Sequence, residues 1–113
     1  MLTLDALKEY GANVDEGLVR CMNNEGFYLK LVGMTLDDKN LTGLREALDA
    51  KDLDRAFECA HAVKGVAANL ALTPLLEPVS EMTELLRSRT DTDYSELYKK
   101  AEKAFGDLKA LCR

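Results

Sequence analysis

Apolar residues recur along the chain at steps of three and four, the spacing that places them on one face of an α-helix. The first predicted helix spans Leu4–Tyr10 and stops at Gly11, a residue suited to a left-handed helix cap. The second covers Val14–Met22. Asn24 is a suitable N-cap for a third, longer helix. The predicted apolar face of that helix consists of Phe27, Tyr28, Leu31, Val32 and Met34.

Four more helices are predicted after a polar break at Asp37–Lys39. The first of them is marked by Leu41, Leu44 and Leu48. Asp52 is expected to cap the second, which is the central helix of the chain. The apolar residues of the central helix form a narrow seam suited to packing along a neighbouring helix. They are Leu53, Ala56, Ala60, Val63, Ala67 and Leu70.

The last two helices follow the same pattern. Thr73-Pro74 predicts a helix start because proline is tolerated in a first turn, while Pro78 implies that this helix either starts late or bends. Its apolar face consists of Leu75, Val79, Met82 and Leu86. The final helix carries on one side Tyr94, Leu97, Ala101, Phe105, Leu108 and Leu111.

These helices predict a single all-α domain over residues 1–113. The connections are short, so consecutive helices should be antiparallel neighbours. The simplest fold is therefore an antiparallel up-and-down four-helix bundle with short N-terminal capping helices. No internal repeat, low-complexity run or Gly/Ser-rich linker divides the chain.

The composition agrees with a helical bundle and narrows the choice of partners. Apolar residues make up 47% of the chain, enough for one core, while glycine and proline are sparse. The net charge of −5 argues against nucleic acid or an anionic membrane as the main partner, because binding there needs clustered Lys and Arg. No stretch approaches the roughly 20 apolar residues of a membrane helix, and the N-terminus lacks the features of a secretory signal.

The cysteines indicate a reducing compartment. Cys21, Cys59 and Cys112 are odd in number and far apart, so they predict free thiols in a cytoplasmic protein. Cys59 lies two residues from His61, but the chain has no second histidine and no CxxC pair. The sequence therefore predicts no metal site.

His61 is the only histidine of the chain and lies in the middle of the central helix. A rotation of about 100° per residue puts the middle of the apolar seam about 130° away from it, so the imidazole should project toward water. Lys64 neighbours it, and Gly65 lies one turn later on the same side. The candidates for the surface that a partner covers are Ala68 and Leu72 beyond the glycine, and Asp54 and Glu58 before the histidine.

This arrangement suits phosphoryl transfer. Glycine inside a helix costs about 1 kcal/mol relative to alanine, and the seam continues past Gly65, so this residue is not a helix cap. Its missing side chain leaves room for another protein beside His61. An imidazole with the ordinary pKa of about 6.5 is largely unprotonated at neutral pH and can accept a phosphoryl group, and Lys64 supplies positive charge nearby. Without a GxxxxGKS/T loop or an Mg²⁺ cage, the chain should not bind ATP or catalyse transfer alone.

The string His61-x-x-Lys64-Gly65, followed by small residues and Asn69-Leu70, resembles the signature of the histidine-containing phosphotransfer (HPt) domain family. The helical series on both sides and the upstream stretch GLVRCMNNEGFYLKLV are also similar to bacterial members, so the resemblance covers nearly the whole chain. It implies that His61 is the phosphorylated residue and that Lys64 supports the phosphoryl group. It also implies that Gly65, with Ala68, gives the partner access.

The resemblance further implies a two-component phosphorelay. The partners would be response-regulator receiver domains, which exchange the phosphoryl group through an aspartate, and a hybrid sensor histidine kinase. Mg²⁺ is expected on the receiver, with no cofactor on this chain, which is expected to be a monomer. Met1 and the compact ends favour a free-standing carrier.

Two departures from the family pattern concern the helix and not the histidine. Family members commonly have glycine where this chain has Ala71, which affects the end of the central helix, and often a small hydroxyl residue at Val66. In some members the next helix supplies a polar side chain to the imidazole. Ser80 and Thr83 are the candidates for that position here.

Two other functions stay open from the residues alone. The chain could be a non-enzymatic interaction module that binds a receiver without phosphotransfer, which a buried His61 would favour. It could also be a redox or metal-binding helical protein that uses Cys59 and His61. Those two side chains should diverge by roughly 160° on a helix, which disfavours a shared site.

Overall fold

The computed structural model describes residues 2–112, and this part of the chain is all-helical, with no strand. The all-α prediction is confirmed. The elements are α1 (Leu4–Tyr10), α2 (Val14–Arg20), α3 (Glu25–Thr35), α4 (Asn40–Asp49), α5 (Leu53–Asn69), α6 (Thr73–Arg87) and α7 (Ser95–Leu111). None of these helices is long and apolar enough to cross a membrane.

Side-chain caps fix the predicted helix starts. The Asn24 side chain accepts a hydrogen bond from the Phe27 backbone N–H at 3.0 Å, and the Asp52 side chain accepts one from the Arg55 N–H at 3.1 Å. Each cap satisfies one of the backbone donors that a helix leaves unpaired at its first turn. Both predicted N-caps are confirmed.

One predicted boundary is wrong. Helix α2 ends at Arg20, because Met22 and Asn23 adopt left-handed backbone conformations with φ of 60° and 57°. The predicted start of α6 at Thr73-Pro74 is confirmed, and the helix continues through Pro78, so of the two alternatives that Pro78 left open the late start does not occur.

The core lies along α5, which packs against α4 on one side and α6 on the other, while α6 packs against α7. All the predicted seam residues of α5 are buried except Leu53, which is half-buried. The Tyr98 hydroxyl of α7 donates to the Leu41 carbonyl of α4 at 3.2 Å. The first and last of these four helices are thus also in contact.

Among the residues that the structure describes, three hydrogen bonds tie α1–α3 and their connections to the rest of the chain. The Tyr10 hydroxyl donates to the Ala104 carbonyl and the Tyr28 hydroxyl to the Leu70 carbonyl, each at 2.9 Å. The Asn13 N–H donates to the Ala71 carbonyl, also at 2.9 Å. Two of these three acceptors belong to the turn between α5 and α6, so α1–α3 help to fix that turn.

Helix α3 does not bury the face predicted for it. Tyr28 and Val32 are fully buried, whereas Phe27 and Met34 are 47% and 56% exposed. Phe27 and Met34 are seven residues apart and share the side of the helix turned away from the core. The predicted five-residue apolar face is wrong for these two residues.

The end of α5 departs from the helical phase that the sequence suggested. The helix ends at Asn69, and Ala71 turns the chain with a left-handed φ of 55°. Leu72 therefore does not continue the exposed side of α5 but points into the core, where it is fully buried. Its prediction as a partner-surface residue is wrong, because helical periodicity was extended past the end of the helix.

Candidate functional site

His61 lies in the middle of α5 with an exposed side chain, while its neighbour Ala60 and the next seam residue, Val63, are buried. The apolar seam holds one side of α5 in the core and leaves the imidazole on the opposite flank. The predicted exposure of His61 is confirmed.

Gly65, one turn after His61, has no packing reason to be glycine. A Cβ at this position would meet no atom within 4 Å, whereas a Cβ at Gly43 would lie 3.1 Å from the Cys59 sulfur. Gly65 also borders a groove of about 520 Å³ between α3 and α5. Open space therefore lies at Gly65, one turn from the histidine, and Ala68, half-buried, follows on the same flank.

Lys64 is paired with an acidic residue that the sequence did not identify. Its ammonium nitrogen lies 3.5 Å from Glu84 Oε1 on α6, and the lysine side chain is 28% exposed. Glu84 also accepts a hydrogen bond from Arg87 Nε at 3.0 Å. The Arg87 guanidinium, and to a smaller extent Lys64, hold the pKa of the Glu84 carboxyl below its usual range. Glu84 is thus a carboxylate at neutral pH, close to the cation predicted to support the phosphoryl group.

An aromatic ring contacts His61 directly. Phe57, one turn earlier on α5, stacks on the imidazole with ring centroids 5.6 Å apart and planes inclined by 17°. The guanidinium carbons of Arg87 and Arg89 lie 5.2 and 4.9 Å from the Phe57 centroid. Sequence reasoning missed these three residues, although the spacing of four between Phe57 and His61 is a readable signal of contact on a helix.

Of the acidic candidates, Asp54 pairs with Arg89, which lies just after the end of α6. Its side chain is 84% exposed, and Oδ1 lies 2.6 Å from Arg89 Nε. Glu58 is exposed. Both lie on the accessible flank of α5, as the helical phase predicted, and their contact with a partner stays a prediction.

The two hydroxyl residues expected to approach the imidazole differ in position. Thr83 is fully buried and donates to the Val79 carbonyl of its own helix at 2.7 Å, so it faces the core and not His61. Ser80 is half-buried. Within residues 2–112 neither ring nitrogen of His61 takes part in a hydrogen bond.

The cysteines lie apart from this site. Cys59 is buried on the core side of α5 while His61 is exposed, and burial raises the pKa of the Cys59 thiol. No group of three or more potential metal-ligating side chains occurs in the described part of the chain. The cysteine and the histidine thus do not form a shared site.

Comparison with protein families gives one informative result. A family model described as the Hpt domain matches residues 37–111. This span contains α4–α7, and with them His61 and the Phe57 ring that stacks on it, but it leaves out α1–α3 and with them the GLVRCMNNEGFYLKLV stretch. Comparison with curated proteins and with solved structures gives no match.

Proposed function

Because this chain belongs to the Hpt domain family, whose members carry out histidine phosphotransfer in phosphorelay signalling, we propose that His61 is its phospho-acceptor. The protein would exchange the phosphoryl group with the aspartate of a response-regulator receiver domain. The observation that carries the proposal is the position of His61. It is the only histidine of the chain, lies within the matched residues, and is exposed on a helix that is otherwise anchored in the core.

The chemistry proposed for His61 itself is a nucleophilic substitution at phosphorus. The lone pair of an unprotonated ring nitrogen forms the N–P bond, and the P–O bond of the receiver's aspartyl phosphate breaks with its electron pair on the carboxylate. Such transfers depend mainly on in-line positioning and charge stabilisation. Gly65 supports the first by leaving space on the line of approach, and Lys64 supports the second by its charge.

The carrier would rely on its partners for the remaining machinery. Mg²⁺ and the acidic residues that bind it are proposed to belong to the receiver domain, and a hybrid sensor histidine kinase is the proposed source of phosphoryl groups. The chain would then act as a monomeric phosphocarrier without an ATP site of its own. This agrees with the Hpt family, whose members are phosphocarriers and not catalysts.

We also propose the arrangement of the helices. The pairings of α4 with α5, α5 with α6 and α6 with α7, together with the α4–α7 contact through Tyr98, suit an antiparallel up-and-down four-helix bundle. Helices α1–α3 would form the cap, which is consistent with their hydrogen bonds to the α5–α6 turn and to α7.

The test is transfer from phosphorylated receiver domains. A panel of receivers is phosphorylated, incubated with the protein, and the protein is assayed for acid-labile phosphate. At least one receiver should label the wild type and leave His61→Gln unlabelled. Equal labelling of both proteins would contradict the proposal, and binding of a receiver without any labelling would identify an interaction module instead.

A further inference from the structure

Phe57 is in direct contact with the proposed phospho-acceptor, at the edge of the core and not inside it. It stacks on the His61 imidazole with centroids 5.6 Å apart, and its side chain is only half-buried. Residues four apart meet on one face of a helix, and nearly parallel aromatic rings at this distance attract each other. Part of the Phe57 ring therefore faces the functional surface.

The Phe57 ring is itself in contact with two cations, Arg87 at the end of α6 and Arg89 just after it. The guanidinium carbon of Arg89 lies 4.9 Å from the ring centroid and that of Arg87 lies 5.2 Å from it, distances typical of cation–π contacts. Each guanidinium is also bound by a carboxylate, Arg89 by Asp54 at 2.6 Å and Arg87 by Glu84 at 3.0 Å. Both cations thus have fixed positions on the ring, which in turn fixes the ring on α5.

The orientation of the imidazole depends on this stack. An exposed histidine samples several rotamers, and its second side-chain torsion is broad. Within residues 2–112 no hydrogen bond to either ring nitrogen of His61 restricts these torsions. In-line attack on phosphorus uses only those orientations in which the lone pair of a nitrogen points at the incoming group.

We propose that Phe57 is a positioning residue for His61. Its ring, held by Arg87 and Arg89, keeps the imidazole plane in one orientation and so increases the fraction of encounters that transfer the phosphoryl group. This role rests on the function proposed above and deepens it. It assigns to α6 a part in orienting the nucleophile of α5.

A matched aromatic residue separates positioning from packing. Phe105 on α7 is also half-buried and also has a cation over its ring, with Lys109 Nζ 5.9 Å from the ring centroid. It has no contact with His61 in the structure. Phe57→Leu and Phe105→Leu therefore remove similar rings, and only the first removes the stack.

The first readout is the nuclear magnetic resonance spectrum of His61, which is unambiguous because the chain has one histidine. The Phe57 ring current should shift the two carbon-bound imidazole protons upfield in the wild type. Phe57→Leu should move both signals downfield, while Phe105→Leu should leave them in place. This readout needs neither a receiver nor phosphate.

The second readout is the single-turnover transfer rate from a phosphorylated receiver that labels the wild type. Phe57→Leu should lower the maximal rate by about three- to tenfold, the range expected for loss of one aromatic pair. The receiver concentration at half-maximal rate should stay within about twofold of wild type, because orientation and not docking is affected. Phe57→Tyr keeps an aromatic ring at this position and should transfer at about the wild-type maximal rate. Thermal unfolding of the two leucine variants measures any loss of stability.

Arg89→Gln gives an independent test that leaves the Phe57 ring in place. It should shift the His61 signals and lower the maximal rate, but by less than Phe57→Leu. The control is Arg45→Gln, which breaks an exposed ion pair with Glu102 (3.6 Å) between α4 and α7, away from the site.

Failure of the positioning role can be told apart from failure of the proposed phosphotransfer function. A wild-type protein that accepts no phosphate overturns that function, and this role with it, before any variant is compared. With a labelled wild type, the positioning role is overturned by unmoved His61 signals in Phe57→Leu. It is equally overturned by a wild-type maximal rate in that variant, or by an equal loss of rate in Phe57→Tyr.

Discussion

At the scale of single residues, the candidate site consists of an exposed histidine, the proposed nucleophile, and the open space at Gly65 one turn away. His61 points to water because Ala60 and Val63 anchor the other sides of α5 in the core. Gly65 adjoins it with nothing within 4 Å of the Cβ position. Both features follow from helical phase, a local property, and both could be predicted from the sequence. The stack with Phe57 is also local, but a spacing of four shows only that two side chains can meet and not that they do.

Replacing Gly65 with glutamine should slow transfer by about tenfold or more, because the new side chain occupies the path of the partner. The free energy of unfolding should rise by about 0.5 kcal/mol, since glutamine is the better helix former. Transfer assays and thermal unfolding measure the two effects.

Gly106→Gln is the matched control for that substitution. Gly106 is also an exposed glycine inside a helix with open space at its Cβ position. It should gain similar stability and keep the wild-type transfer rate. A loss of helicity in Gly65→Gln would show instead that Gly65 serves the fold.

At the scale of the elements, the site is an α5–α6 surface and not a property of α5 alone. Glu84 and Arg87 of α6, and Arg89 just after it, meet α5 side chains because of the way α6 lies on α5. The apolar spacing of α6 predicts which of its sides faces the core. It does not give the rotation and axial position of α6 relative to α5, which decide which polar residues meet Phe57 and Lys64. These three residues therefore could not be found from the sequence.

The end of α5 was mispredicted for a related reason. Periodicity shows where a helical pattern continues but not where the backbone leaves it. Ala71 takes a left-handed conformation that favours glycine, and the chain turns there. Leu72 consequently enters the core and leaves the flank on which extrapolation had placed it.

Removing the charge of Lys64 should weaken transfer less than removing His61. For Lys64→Gln we expect a loss of about fivefold, because two charges 4 Å apart in water interact by about 1 kcal/mol. Single-turnover assays at low and moderate salt measure this loss, and salt should reduce it.

Lys103→Gln is the control for the lysine variant, because Lys103 also pairs with a carboxylate, Asp107, at 2.8 Å on α7. It should transfer at the wild-type rate. A loss in Lys64→Gln as complete as that in His61→Gln would contradict the view that Lys64 only assists.

At the scale of the whole molecule, the N-terminal helices hold the turn that ends the histidine helix. Tyr28 of α3 is fully buried and donates to the Leu70 carbonyl at 2.9 Å. A Cβ at Gly17 would lie 2.6 Å from the Tyr28 ring, so only glycine at this position lets α2 pack this closely against α3. The sequence indicates that α1–α3 exist, but their hydrogen bonds to α5–α7 join residues far apart along the chain and have no local signal.

Tyr28→Phe should lower the free energy of unfolding by about 1–2 kcal/mol, because it leaves the Leu70 carbonyl without this partner. Tyr98→Phe should cost less, since its bond to Leu41 is longer, at 3.2 Å, and only part-buried. Denaturant unfolding at neutral pH compares the two variants. Equal stability of Tyr28→Phe and wild type would show that this bond does not hold α3 to α5.

The difference in stability between wild type and Tyr28→Phe should depend on pH in the alkaline range. Burial, and to a lesser extent the nearby Cys21, raise the pKa of Tyr28 to about 12, from 10.0. A raised pKa means that the stabilising contribution is complete below pH 10 and is lost as the pH rises toward 12. The stability advantage of wild type over Tyr28→Phe should therefore shrink across that range.

Locating the phosphate within the labelled protein tests whether His61 carries the phosphoryl group. The protein is labelled by a phosphorylated receiver, digested under neutral conditions that preserve phosphohistidine, and sequenced by tandem mass spectrometry. We expect one added phosphoryl group, on His61 of the α5 peptide. A phosphoryl group located on any other residue, with His61 unmodified, would contradict the proposed role of His61.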